Sequence, residues 1–237
     1  HHRRVGGDSK IGCVLDFDAR YRIGGNAIAG GSRCMDRAVY GLDLDVLDGV
    51  DWQLNGLLFN GTSERIALGN QVNNNINGAP AITVEGLINN YDIPGAGVDD
   101  NYIFAMAVDA DLGSCAFANI GSTMWGGGRS VSTDAFQSTS TPYTDTYKNH
   151  YIVGIVDYQG DLVDINMDGD RKVSTAVAFG NSAYTKGTPT RYECIGSSTS
   201  AVSGWFNGLI RKVKIWNYRR YQAQILQSWI DRPLMAG

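Results

Sequence analysis

Glutamate is nearly absent: among 237 residues only Glu64, Glu85 and Glu193 occur. None opens the E-x-D-x-x-E strand motif with which β-sandwich glucanases point three acids into one cleft, because Arg65-Ile66, Gly86-Leu87 and Cys194-Ile195 follow them. Histidine is as scarce. His150 is the one histidine away from the terminus, and no G-x-S-x-G elbow supplies a nucleophile for a serine relay, so His150 reads as a strand-start residue. Cys13, Cys34, Cys115 and Cys194 never form C-x-x-C, which excludes a zinc ribbon or a redox pair and leaves buried thiols, or a Cys13–Cys34 bridge in an oxidising compartment. Basic charge is also short: Lys+Arg 20 against Asp+Glu 24 leaves −4, without the cationic stripe that a nucleic-acid partner requires. No apolar run approaches the ~18 residues that span a bilayer, and His1-His2-Arg3-Arg4 lacks the apolar segment of a signal peptide, so membrane insertion is not expected. The P-loop pattern is missing, and Gly95-Ala96-Gly97 lacks the third glycine of a dinucleotide fingerprint.

What is present describes a turn-rich all-β domain. The chain is 43% hydrophobic but only 19% charged, and carries 30 glycines. Alternation marks strands at Leu42–Val46 and Leu162–Met167, with Asp168-Gly169 as a tight turn before Arg171–Val177. Gly56–Phe59 and Arg65–Leu68 flank Asn60-Gly61, a two-residue hairpin signal that is also a glycosylation sequon. Further strands are expected at Ala81–Ile88, Tyr102–Val108, Ser114–Ile120, Tyr151–Val156 and Leu209–Trp216. Val72–Gly78, Gly126–Gly128 and Ser138–Thr146 read as loops or punctuation. Tyr221, Ile225, Leu226, Trp229 and Ile230 then recur at helical spacing, which predicts one short helix packed on the sandwich and stopped by Asp231-Arg232-Pro233. The expected architecture is a two-sheet antiparallel jelly-roll β-sandwich with one short C-terminal helix. Residues 1–12 form an N-terminal arm and 13–237 a single domain.

Candidate functional residues follow from chemistry. Sugars stack on exposed aromatic faces, so Trp125 beside the glycine run, and Tyr143 and Tyr147 in the Ser/Thr-rich loop, are candidates for glycan binding. Asp99 and Asp100 are candidate oxygen ligands for calcium. The run Asp164-Ile165-Asn166-Met167-Asp168-Gly169-Asp170 matches the first half of an EF-hand loop, but its twelfth position is Thr175 rather than a bidentate glutamate, and a hairpin explains every residue of it. Arg3 and Arg4, in a polar glycine-bearing stretch, are candidates for docking on a partner or a neighbouring copy.

Four segments in order resemble a laminin-G-like (LamG) jelly roll of the concanavalin A-like lectin/glucanase superfamily. Gly56-Leu57-Leu58-Phe59-Asn60-Gly61-Thr62 with Ile66-Ala67-Leu68 is similar to its entry strands, and Ala81–Ile88 to its "F-T-I-E-x-W-I" strand. Asn149–Gly154 through Val163–Gly169 resembles "W-H-H-V-A … L-Y-V-D-G", and Trp205–Asn217 resembles "F-x-G-x-I-D-E-V-R-I-Y-N". Arg211-Lys212 stands in place of the usual acidic pair and Gly86-Leu87 in place of the usual aromatic. The resemblance implies a non-catalytic structural or interaction module on a virion or extracellular surface, such as a phage decoration or tail-associated protein. Its partners would be other chains of that assembly, further copies of itself, or glycans. A calcium-assisted lectin and a divergent glycoside hydrolase using aspartates are the alternatives, because one fold hosts several functions.

Overall fold

The computed structural model describes residues 12–23, 32–36, 38, 43–47, 50–53, 56–69, 71–92, 100–106, 115–131, 133–186, 193–198 and 204–232. In chain order the strands are β1 (Cys13–Ile23), β2 (Ser32–Asp36), β3 (Asp43–Leu47), β4 (Asp51–Gln53), β5 (Gly56–Asn60) and β6 (Arg65–Gly69). After helix α1 (Gln71–Ile76) come β7 (Ala81–Asn90), β8 (Asn101–Met106), β9 (Cys115–Ile120), β10 (Thr123–Gly128) and β11 (Gln137–Pro142). Then follow β12 (Asn149–Asp157), β13 (Leu162–Met167), β14 (Asp170–Ala176), β15 (Glu193–Ile195), β16 (Asn207–Trp216) and helix α2 (Gln222–Ile230).

The architecture is a two-layer antiparallel β-sandwich of the concanavalin A-like jelly-roll type. One layer runs β14-β13-β12-β7-β16-β1, with β5 also on β16; the other runs β11-β10-β9-β8-β15-β6-β3, and β2 links them. The layers face each other where β10 and β11 come within 8 Å (Cα) of β12, β13 and β14. Inward-pointing Phe17, Phe59, Phe104, Phe117 and Phe206 join Ile, Val and Leu side chains in one core. Each such ring removed from water contributes about 1.5–3 kcal/mol. Phe117 is the wedge between the layers. A Cβ on Gly126, its cross-strand neighbour, would lie 2.3 Å from that ring, and one on Gly154 in the facing layer 1.7 Å, so both positions must be glycine.

Several expectations are corrected. Gly126–Gly128 is the end of β10 rather than punctuation, because the glycines make room for Phe117, for Phe136 and for the β11 backbone. Residues of the Ser/Thr-rich segment form β11, with Thr139 Oγ1 and Thr175 Oγ1 2.6 Å apart across the two layers' edges. The asparagine run read as a loop is helical over Gln71–Ile76. Val72 and Ile76 bury one face there, while the carboxyl oxygens of Glu193 accept the N–H groups of Val72 at 2.9 Å and Asn73 at 2.6 Å. Asn60-Gly61 turns the chain without making a hairpin: β5 pairs with β16 and β4, and β6 pairs with β15 and β3. Asn60 Oδ1 takes the N–H groups of Thr62 and Ser63, which sends Phe59 and Ile66 to different layers of one core.

The hairpin at Asp168-Gly169 is found, with φ of 53° and 87°. A Cys13–Cys34 bridge is ruled out by register. Cys34 lies two residues along β2 from Asp36, the partner of Phe17, and Phe17 is four residues along β1 from Cys13, so the two cysteines stand about six strand steps apart, or roughly 20 Å, far beyond disulfide reach. On α2 only Ile225 is fully buried, against Leu87, Tyr151, Val153 and Ile155; Tyr221, Leu226 and Ile230 are exposed. The same sheet face also carries Asp157, Asp164 and Glu85, which pair with Arg219 and Arg220 just ahead of the helix. Among the described residues no helix is long and apolar enough to cross a membrane.

Candidate functional site

Four adjacent strands of one layer bring asparagines to the same end of the sandwich. Asn60 of β5 lies opposite Asn207 of β16, and Asn89 of β7 opposite Asn149 of β12. Asn89 Nδ2 donates to Asn149 Oδ1 at 2.9 Å. Alternation along β7 and β12 puts Asn89 and Asn149 on the outward face, continuing the rows of Leu87 and Tyr151. Just beyond the strand ends, Tyr91 N donates to Asn207 O at 2.9 Å and Tyr147 N donates to Asn90 O at 2.8 Å. These backbone bonds bring the two rings into a stack with centroids 5.1 Å apart and planes 18° from parallel. Tyr147 is 69% exposed and has φ of 57°, a left-handed conformation uncommon outside glycine. Burial, and then the neighbouring Tyr147, raise the Tyr91 phenol above its ordinary value, so it stays a hydrogen-bond donor at neutral pH.

A second polar layer lies underneath, facing inward. His150 Nδ1 sits 2.7 Å from Asp168 Oδ2, and Asp168 Oδ1 accepts the Tyr151 N–H at 2.9 Å. Burial alone would raise the Asp168 carboxyl, but these two bonds and the His150 charge outweigh it and hold the group below its usual range. The other ring nitrogen, Nε2, is 3.7 Å from Asp145 Oδ2, and Asp145 also holds Lys148 Nζ at 3.0 Å. On the facing strands, Asn101 Nδ2 donates to Asp92 O at 3.1 Å and lies 3.5 Å from Asn90 Oδ1, with Asn119 opposite Asn101. Asn90 Nδ2, both amide atoms of Asn119, the Tyr143 hydroxyl and His150 Nε2 are buried without a hydrogen-bond partner. Each such group costs about 1–3 kcal/mol, so this end gathers five buried polar atoms that lack a hydrogen-bond partner within the protein.

The sequence-predicted residues separate in space. Tyr147 stands at the centre of this end. Tyr143, four residues earlier, is 2% exposed with its ring edge-on to His150 at 5.5 Å, so it offers no face to a sugar; burial, with Asp145 and Asp168, pushes its phenol far up. Trp125 is half-buried on the outward face of the other layer, where one side of its indole is stacked on Phe136 at 5.2 Å. Asp100 is half-buried beside Asn101; burial, and then the Asp100 charge, push the Tyr102 phenol up to about 12. Asp99, Arg3 and Arg4 lie outside the described residues.

Sequence reasoning missed Tyr91, Asn89, Asn149 and Asn207. The available signal was an asparagine beside a tyrosine at two strand ends, Asn89-Asn90-Tyr91 and Tyr147-Lys148-Asn149. In the EF-hand-like run, Asp164 Oδ2 is already held by Arg219 Nη2 at 3.0 Å, and no cluster of three or more His, Cys, Asp or Glu able to hold a metal occurs among the described residues. The three glutamates are engaged within the fold: Glu64 accepts the Asn60 N–H, Glu85 pairs with Arg220, and Glu193 holds α1.

No protein-family model matches the chain, and no curated protein matches it. Solved structures do. The binding domain of botulinum neurotoxin DC in complex with SialylT superposes with a TM-score of 0.66 at 11% identity, over 93% of this chain and 52% of that one. The same domain in complex with rat synaptotagmin II gives 0.67 at 11%, over 94% and 52%. A Trypanosoma rangeli sialidase mutant displaying trans-sialidase activity gives 0.63 at 12%, over 93% and 33%. This chain spans about half the length of the neurotoxin binding domains it matches. At such identity the likeness is one of fold.

Proposed function

We propose that this chain is a non-catalytic interaction module that binds a carbohydrate at its Tyr91–Tyr147 end. The observation that carries the reading is Tyr147 itself, a 69% exposed aromatic kept in a left-handed backbone at φ 57° and stacked on a second tyrosine. That conformation costs about 1–3 kcal/mol in a residue with a side chain, and solvent exposure returns none of it. Flat aromatic faces accept the C–H face of a pyranose, and the asparagines beside them carry the donors and acceptors that hydroxyls match. The neurotoxin domain solved in complex with SialylT lends support by fold. So do the three glutamates, each already engaged inside this fold.

A glycan array with and without calcium, followed by titration of each hit against Tyr147→Ala, tests the reading. We expect binding by the native chain and at least a tenfold loss in the variant. A blank array under both conditions overturns the reading, and sugar released in a polysaccharide hydrolysis screen overturns its non-catalytic part.

Laminin-G-like membership, and a place on a virion or extracellular surface beside other chains of that assembly or further copies of this one, belong to the same proposal. They rest on the order of the four sequence segments from Gly56 to Asn217. The mass and composition of the native assembly would test them, and a protein found alone and free in solution would count against them.

A further inference from the structure

We infer that the Tyr91–Tyr147 end selects neutral pyranoses and rejects glycans that carry sialic acid, uronic acid or sulfate. The inference deepens the carbohydrate reading above and rests on it. Among the described residues flanking the stack (89–92, 100–101, 143–149 and 207), Asp92, Asp100 and Asp145 stand against the single ammonium of Lys148, so the formal charge is 1 − 3 = −2. Lys148 Nζ is itself 3.0 Å from Asp145 Oδ1, which cancels its pull on an incoming anion. A fourth carboxylate, Asp168, lies behind them on His150.

Recognition of a carboxylate or sulfate calls for a guanidinium fork, an uncommitted ammonium or a nest of backbone N–H groups. None is placed at this end among the described residues: Arg65 lies over the Trp205 ring, and the Tyr91 and Tyr147 N–H groups are given to backbone carbonyls. What the end does offer is neutral. Asn149, with Oδ1 accepting from Asn89, keeps its own exposed Nδ2 for a hydroxyl oxygen; Asn60, with Oδ1 turned to Thr62 and Ser63, does the same. The two phenols supply an uncharged stacking face.

The test is calorimetric titration of the full chain with matched oligosaccharides: a neutral one that binds on the array, its terminally sialylated form, and a form extended by a neutral sugar as a control for bulk. We expect at least tenfold weaker binding of the sialylated form at 0.05 M salt. The gap should shrink at 0.5 M, because screening shortens the reach of charge to a few ångströms, and Asp92→Asn should narrow it at low salt. Equal or tighter binding of the sialylated form, or a gap that salt leaves unchanged, overturns the inference while the carbohydrate reading stands. Failure of every form to bind removes that reading, and this inference with it.

Discussion

Arg220 and Glu85 form an ion pair with side chains 1% and 2% exposed, although 135 residues separate them in sequence. Glu85 also accepts the Tyr151 hydroxyl at 2.5 Å, while Arg220 donates to Ser228 Oγ at 2.8 Å and to Gln224 O at 3.0 Å and lies 4.5 Å from the Trp216 ring centroid. The pair therefore ties α2 to the outward face of the sheet. Arg220→Met leaves a carboxylate buried without its counter-charge, and a loss of about 3–5 kcal/mol is expected in urea unfolding. Adding Glu85→Leu should recover most of that loss, because a buried pair contributes little beyond an apolar replacement of similar size. A double variant no more stable than Arg220→Met would show that the guanidinium's packing, not its charge, is what matters.

Gly154→Ala places a methyl group where the Phe117 ring already stands. The denaturant midpoint should fall by the equivalent of about 1–3 kcal/mol with an unchanged slope, as overpacking of a tight core does. Phe117→Leu made in the Gly154→Ala chain should be less destabilising than in the native chain, since the smaller side chain vacates the contested space.

Glu193 predicts a pH dependence. Burial raises its carboxyl to about 8 despite the two N–H groups of α1 that favour the anion, against an ordinary value of 4.5. The folded chain keeps this proton up to about pH 8, whereas the unfolded chain releases it near 4.5. Between those values the unfolded state binds fewer protons, so this residue's contribution makes stability fall as pH rises across the window and level off above it. Glu193→Gln removes that slope. Unfolding free energies of the two chains at pH 5, 6.5 and 8 should diverge in favour of the variant; parallel profiles would refute the buried protonated carboxyl.

Tyr147→Gly separates binding from stability. Glycine relieves the left-handed backbone but also loosens the unfolded chain, and these effects oppose each other at about 1 kcal/mol each. Thermal unfolding should change little, while glycan binding falls more than tenfold. A large loss of stability would mean that the Tyr91–Tyr147 stack exists to hold the loop rather than to meet a ligand.

Much of the fold was legible because strand alternation is local. Leu162–Met167 lies where its pattern predicts, the Asp168-Gly169 turn follows, and α2 ends at Ile230 just before Asp231-Arg232-Pro233. The misreadings share one cause. Val72–Ile76 is poor helix sequence that becomes helical because a buried glutamate side chain 120 residues away accepts its first N–H groups. Gly126–Gly128 looks like a break until Phe117 requires the space.

The candidate site was less legible than the fold. Tyr143 and Tyr147 occupy similar surroundings in sequence, yet one is 2% and the other 69% exposed. Tyr91 and Tyr147 carry no mark of being neighbours until β7 and β12 pair and bring their ends together.

By itself, then, the order of residues determined which segments become strands, where the last helix stops and that the scarce glutamates open no hydrolase motif, since each of these depends on neighbours a few positions away. The tertiary structure decided which tyrosine faces water, which charge meets which, and where asparagines and rings gather at one end. Those outcomes depend on contacts between residues tens to more than a hundred positions apart, and burial and hydrogen bonding are settled only when the two layers close.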